Sequence, residues 1–211
     1  MANAPLTIAP RYSKPPQFQG SSVAWRALCD AYPNAETVEV LLAVIDYCTV
    51  RKLDPFKKPV HVVPMWNQKL GRQVQVIMPG INEIEITASR TGKWAGMDPP
   101  KWGDTITRTF KGETTDRNGN SNRKEVTLSY PQSCSITVYK LIGGQKLPWT
   151  EEVWFDEYYA TAGFGSELPN QRWTKAPRQM LAKCARAAAL RAAFPEEAVS
   201  YTHLRAHETL R

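Results

Sequence analysis

The chain has 211 residues, 42% of them hydrophobic and 22% charged, proportions of a globular rather than a disordered protein that leave room for one proper core. Lysine and arginine outnumber aspartate and glutamate by 27 to 20, and the net charge of +7 favours a polyanionic partner. Cys29, Cys48, Cys134 and Cys184 are scattered without CxxC spacing, which argues against a disulfide scaffold and for reduced thiols in a cytoplasmic protein. The N-terminus lacks a basic-then-apolar signal pattern and the longest apolar runs are too short to span a bilayer, so neither secretion nor membrane insertion is expected.

Residues 1–20, with Pro5, Pro10, Pro15 and Pro16, read as a flexible leader. Ser21 or Ser22 is placed to cap a short helix over VAWRALCDAY that ends at Pro33. Asn34 is placed to cap a second helix, in which Val38, Leu41, Leu42, Ile45 and Cys48 recur at helical spacing until Leu53 to Pro55. The period then changes. VHVVPMW (60–66) and QVQVIMP (73–79) flank NQKLGR as a hairpin, and GINEIEITASRTG follows as a helix ended by Gly92. Strands are expected near 105–112 and at 124–130, 133–141 and 146–155, with DRNGNSNRK (116–124) as a turn-rich tip between the first two. Asp116, Asn118 and Asn120 resemble the start of a calcium loop, but the glycine and the closing acid of such a loop are missing. DEYYATAG and a basic stretch opening at Pro177 finish the chain as helices. The fold class is α+β, a small antiparallel β-sheet with hairpins packed against flanking α-helices, forming one core over 21–198 with a basic C-terminal helix. VSYTHLRAHETLR (199–211) reads as a translated sequencing adapter, so the i, i+4 pair His203 and His207 is no metal site and the natural chain is expected to continue past about Ala198.

The stretch RWTKAPRQMLAKCARAAALRAAF (172–194) concentrates the chemistry. No Asp or Glu occurs between Glu167 and Glu196, while Arg172, Lys175, Arg178, Lys183, Arg186 and Arg191 all fall in that gap. At about 100° per residue, Cys184, Ala188, Leu181, Ala192, Ala185, Ala189 and Ala182 occupy an arc of roughly 160°, suited to close packing because alanine lets backbones approach. Arg178, Lys183, Arg186 and Arg191 read as the remaining wall, from which Leu190 and Phe194 must find apolar neighbours of their own. A solvated helix face would interleave acids at i and i+4, and six like charges without them repel one another unless an anion relieves them. A second cluster, Arg51, Lys52, Lys57 and Lys58 around the single acid Asp54, is extended by Lys69 and Arg72, and the two clusters are suited to line opposite sides of one groove. Trp173 and Trp66 stand beside them as candidates to stack on bases or sugar.

Bond-breaking chemistry has little to work with. No clustered carboxylates and no GxxxxGK[ST] loop are found, His61 is the only histidine outside the adapter-like tail, and no cofactor is implied. Glu83 with Glu85 and Glu151 with Glu152 have the spacings of solvated surfaces. Binding is therefore expected rather than catalysis.

The blocks LDPFKKPVHVVPMWN, GINEIEITASRTGKWAGMDPP and RWTKAPRQMLAKCARAAALRAAF, in that order and with a WxxxPxxxL core in the last, resemble the phage-type single-strand annealing recombinases of the RecT and Redβ (Bet) group over about residues 36–198. The resemblance implies ATP-independent binding of single-stranded DNA and of an annealed duplex intermediate by a homo-oligomer, a ring or helical filament. It also implies work beside a phage exonuclease and a host single-strand-binding protein recruited through the C-terminal region. It matches Lys58 to a basic position after the LDPF-type turn, Arg178, Lys183 and Arg191 to basic positions of a DNA-contacting helix, and Trp173 and Pro177 to the start of that helix. Lys175 and Arg186 are basic here without such a match. A metal-dependent nuclease or other DNA-processing enzyme, and a plain strand-coating protein without annealing, stay open as alternatives.

Overall fold

The computed structural model describes residues 12–115, 121–163 and 166–195. The chain divides into two compact units, one up to Glu83 and the other from Ile84 to Ala198.

In the first unit, Ser21 caps α1 (Ser22–Ala31) as expected, its hydroxyl accepting from the Ala24 N–H at 3.1 Å. Trp25, Leu28 and Cys29 of α1 are buried. Trp25 Nε1 donates to the Tyr12 carbonyl at 2.8 Å and the Phe18 ring lies 5.2 Å from the Trp25 ring, so residues 12–18 are tied to α1. α2 (Val38–Val50) is capped by Thr37, not Asn34, since Thr37 has extended backbone and accepts from the Val40 N–H. Asn34 is engaged elsewhere: its side-chain amide donates to the Val62 carbonyl and its own carbonyl accepts from Gln75. Asp54 then caps a 3-10 turn over Pro55–Lys57, after which Lys58 adopts the left-handed region at φ +51°.

β1 (Val60–Asn67) and β2 (Arg72–Pro79) form the expected hairpin, an antiparallel pair in register from Val60↔Pro79 to Asn67↔Arg72. The Asn67 side-chain oxygen accepts from the N–H groups of Lys69 at 3.0 Å and Leu70 at 3.2 Å, and Gly71 supplies φ +60° to close the turn. Gly80 leads out of the hairpin, and a Cβ there would sit 2.9 Å from the Pro59 carbonyl oxygen. α3 (Ile81–Arg90) carries the boundary between the units.

The second unit centres on β7 (Ser133–Ile142), paired on one side with β8 (Gln145–Trp154) through a turn at Gly143 and Gly144. On its other side lie β3 (Trp94–Met97) and β4 (Lys101–Trp102), which the sequence reading did not anticipate. Segments of four and two residues separated by Pro99 and Pro100 are too short to show a period, and only pairing with β7 makes them strands. β5 (Thr105–Thr115) and β6 (Ser121–Pro131) pair with each other as a separate two-stranded sheet. The expected turn at their tip, with the rejected calcium loop, falls on 116–120 and lies outside the described residues. Among the described residues three antiparallel sheets thus replace the single one expected, within the α+β class.

The closing helices differ from expectation in two places. DEYYATAG yields only one turn, α4 (Phe155–Tyr158), because Tyr159 is already extended and Thr161 bridges to Pro169. The basic stretch is two helices, α5 (Gln171–Lys175) and α6 (Pro177–Ala193), broken at Ala176 with φ −142°. A residue before proline is pushed out of the helical region by the pyrrolidine ring, so Pro177 both ends α5 and starts α6.

Candidate nucleic-acid interface

α6 packs on β7 and β8, burying Leu181, Ala185, Ala189, Leu190 and Ala193. The receiving surface is made by Cys134, Ile136, Val138 and Val153, all at most 1% exposed. At about 100° per residue the buried arc covers roughly 180° and is rotated towards Leu190 from the arc read off the alanines. Leu190 thus finds its apolar neighbours in the core itself. Phe194, 3% exposed, receives the Lys140 ammonium 5.0 Å above its ring, and the same ammonium donates to the Ala193 carbonyl at 2.8 Å, closing the C-terminal end of α6.

Arg178 needs correction as a member of the outer wall, because its azimuth lies inside the alanine arc as well as the buried one, although the residue itself is exposed. It escapes burial by lying in the first turn, where its guanidinium stacks 4.6 Å over the Trp102 ring of β4. Lys183 and Arg191 occupy the outer side, whereas Arg186 falls between Ala193 and Leu190, inside the buried arc. Arg186 is held by Glu85 of α3 at 3.1 Å, with its Nε buried and unpartnered among the described residues. Arg172, Lys175, Arg178, Lys183 and Arg191 have no carboxylate within ion-pair distance among the described residues.

Trp173 requires a correction. It is 2% exposed and meets Phe155 edge-on at 5.3 Å, in a cluster where Phe155 also stacks on Tyr130 at 3.8 Å and packs near Phe110 at 6.3 Å. Its ring face is core and is not offered to a base. Its place beside the basic cluster suggests stacking on bases, whereas the tryptophan anchors α5 to Phe155 of α4.

In the first unit, Lys57, Lys58, Lys69 and Arg72 are exposed and likewise lack a carboxylate partner among the described residues. Asp54 spends its oxygen on the Phe56 N–H at 2.9 Å. Arg51, counted in this cluster, is structural instead: its Nε donates at 3.3 Å to Glu83, which also accepts from the Tyr47 hydroxyl at 2.7 Å. Glu83 is 1% exposed, so the solvated reading of the Glu83 and Glu85 pair fails. Two residues on a helix point about 200° apart, which is why each glutamate finds a different arginine. Burial, then the bond to Glu83, holds the Tyr47 phenol protonated far above its ordinary range.

None of the four cysteines is in a disulfide. Burial pushes the Cys48 and Cys134 thiols up to about 11 and raises Cys184, so these three are protonated at neutral pH and poor nucleophiles. Among the described residues no group of three or more His, Cys, Asp or Glu side chains is placed to hold a metal ion, and no helix is long and apolar enough to cross a membrane.

What the geometry offers is, among the described residues, cation without counter-charge on each unit. No curated protein matches the chain. The sequence model of the RecT family does, over residues 24–208, a span that takes in both units, both acid-free stretches and ten residues of the adapter-like tail. A match of that extent makes the chain a member of the RecT family.

Proposed function

We propose that the protein binds single-stranded DNA through its phosphates and anneals complementary strands without ATP, as a homo-oligomer, in the recombination-related annealing role that its family membership supports. The observation that carries the reading is the set of α5 and α6 cations, Arg172, Lys175, Arg178, Lys183 and Arg191, without a carboxylate at ion-pair distance among the described residues while α6 is fixed to β7 and β8. Lys57, Lys58, Lys69 and Arg72 give the first unit a similar surface.

Annealing requires two strands of like charge to approach with their base edges open. Neutralising phosphates from the protein side meets both needs, because it lowers repulsion and leaves sequence choice to base pairing. Rigidly mounted cations lose less freedom on binding than cations on a free tail. Weak binding by one subunit becomes strong when copies repeat along one strand, and a head-to-tail interface generates the ring or filament that this repetition needs. Arg186 enters as a cation already shared with Glu85, available to phosphate only by exchange.

The direct experiment mixes complementary labelled oligonucleotides with and without protein, in the absence of ATP. Accelerated duplex formation for any sequence is the expected result, and Arg191→Ala slows it equally for all sequences. No acceleration, or cleaved or joined strands on adding magnesium, would overturn the reading.

A further inference from the structure

The tip of the β1–β2 hairpin places a large apolar surface in water. Trp66 is 62% exposed, Leu70 50% and Met65 36%, within six consecutive positions. Met65 and Trp66 are successive strand residues and face opposite sides of the ribbon, so the feature is the ring itself: a tryptophan is usually largely buried, and one this exposed marks a contact surface. The tip is also preorganised, because Asn67 ties down the Lys69 and Leu70 N–H groups and the ladder runs in register to Asn67↔Arg72. Trp66 stands opposite Gln73, with Pro64 two residues away on the same strand face, so no large cross-strand group is paired with its ring.

The chemistry around the ring selects the occupant. Lys69 in the turn and Arg72 at the start of β2 adjoin it in the chain, Arg72 pairing with Asn67 on the other face of the ribbon, and no Asp or Glu occurs between Asp54 and Glu83, a second acid-free stretch that the whole hairpin lies inside. Apolar surface with basic and no acidic neighbours along its own segment suits a ligand with flat faces and negative linkers. We propose that Trp66 stacks on nucleobases of a single strand whose phosphates Lys69 and Arg72 hold. The proposal deepens the phosphate-gripping reading and rests on it. Stacking uses the base face and leaves its pairing edge open, so it is the form of base contact compatible with annealing, and every base has such a face. A second copy of the chain is the less suitable occupant, since it would have to bring acidic groups to meet the two cations.

The test compares binding of a labelled oligothymidylate with that of an abasic strand of equal length, by fluorescence anisotropy, alongside sedimentation of the protein alone. Wild type is expected to bind the base-bearing strand about tenfold more tightly, a size typical of one stacked base. Trp66→Ala should bind both strands at the abasic level, Trp66→Phe should keep most of the preference, and neither should change the sedimenting species. Equal binding of both strands by wild type, or a preference surviving in Trp66→Ala, overturns stacking while leaving phosphate gripping intact. A Trp66→Ala protein whose affinity loss tracks a smaller assembly overturns it in favour of a subunit contact. If wild type binds neither strand, phosphate gripping fails and this proposal with it.

Discussion

The hairpin of the first unit and the α5–α6 region of the second are both acid-free and basic, yet they use tryptophan and arginine in opposite ways. On the hairpin, Trp66 is exposed and the cations sit at a strand tip; on α5, Trp173 is buried against Phe155 and the cations ride on helices fixed to a sheet. The difference lies in what each backbone can cover. A two-stranded ribbon has no layer over its tip, whereas α5 lies against the aromatic cluster of Phe110, Tyr130 and Phe155, which accepts a ring edge-on. Charge pattern along a sequence therefore identifies where cations collect, while the packing partner decides whether a neighbouring aromatic is anchor or contact.

The largest expected contrast comes from truncating the two rings. Trp173→Ala should cost about 3–5 kcal/mol of stability, as loss of a buried aromatic does, whereas Trp66→Ala should stay within about 0.5 kcal/mol. Urea unfolding measures both, and equal losses would erase the distinction drawn between the regions.

Arginine gives the next contrast. Arg51→Ala leaves the buried Glu83 carboxylate with only part of its hydrogen bonding and should destabilise by about 3 kcal/mol. Lys57→Ala, three residues past Asp54 in the same basic cluster, should leave the melting temperature nearly unchanged and weaken strand binding instead. Thermal melts paired with binding isotherms separate these outcomes.

The smallest effect concerns Glu85. Its pair with Arg186 is partly exposed, with side chains 27% and 39% accessible, and solvent screening reduces it to about 0.2–1 kcal/mol. Glu85→Gln frees Arg186 for phosphate and should tighten strand binding about twofold to fivefold at low salt. Weaker binding by Glu85→Gln would mean that Glu85 positions the arginine instead of competing for it.

Much of this fold is legible along the chain. The caps at Ser21 and Gly92, the hairpin around Asn67 and Gly71, and the β7–β8 turn at Gly143 and Gly144 all follow from local backbone chemistry. What escaped depended on distant partners. β3 and β4 are strands only because β7 lies beside them, and Asn34 gave up capping for contacts with Val62 and Gln75. The Arg186 and Glu85 pair joins positions 101 residues apart, beyond any acid-free window. The start of α6 at Pro177 is legible as expected, while α5 before it, five residues long, is too short to show a helical period. The candidate cations were found by counting acids. The buried azimuth of α6 needed its actual neighbours, Ile136, Val138 and Val153.

The central claim, that unpaired cations on α6 grip phosphate, is tested most directly by the salt dependence of single-strand binding in wild type and in a Lys183→Ala, Arg191→Ala double variant. Each neutralised phosphate contributes about 0.7 to the slope of log affinity against log salt, so removing two cations should flatten it by about 1.4 per subunit. That flattening, with an unchanged fold and assembly, is the predicted result. An unchanged slope with unchanged affinity would contradict the account.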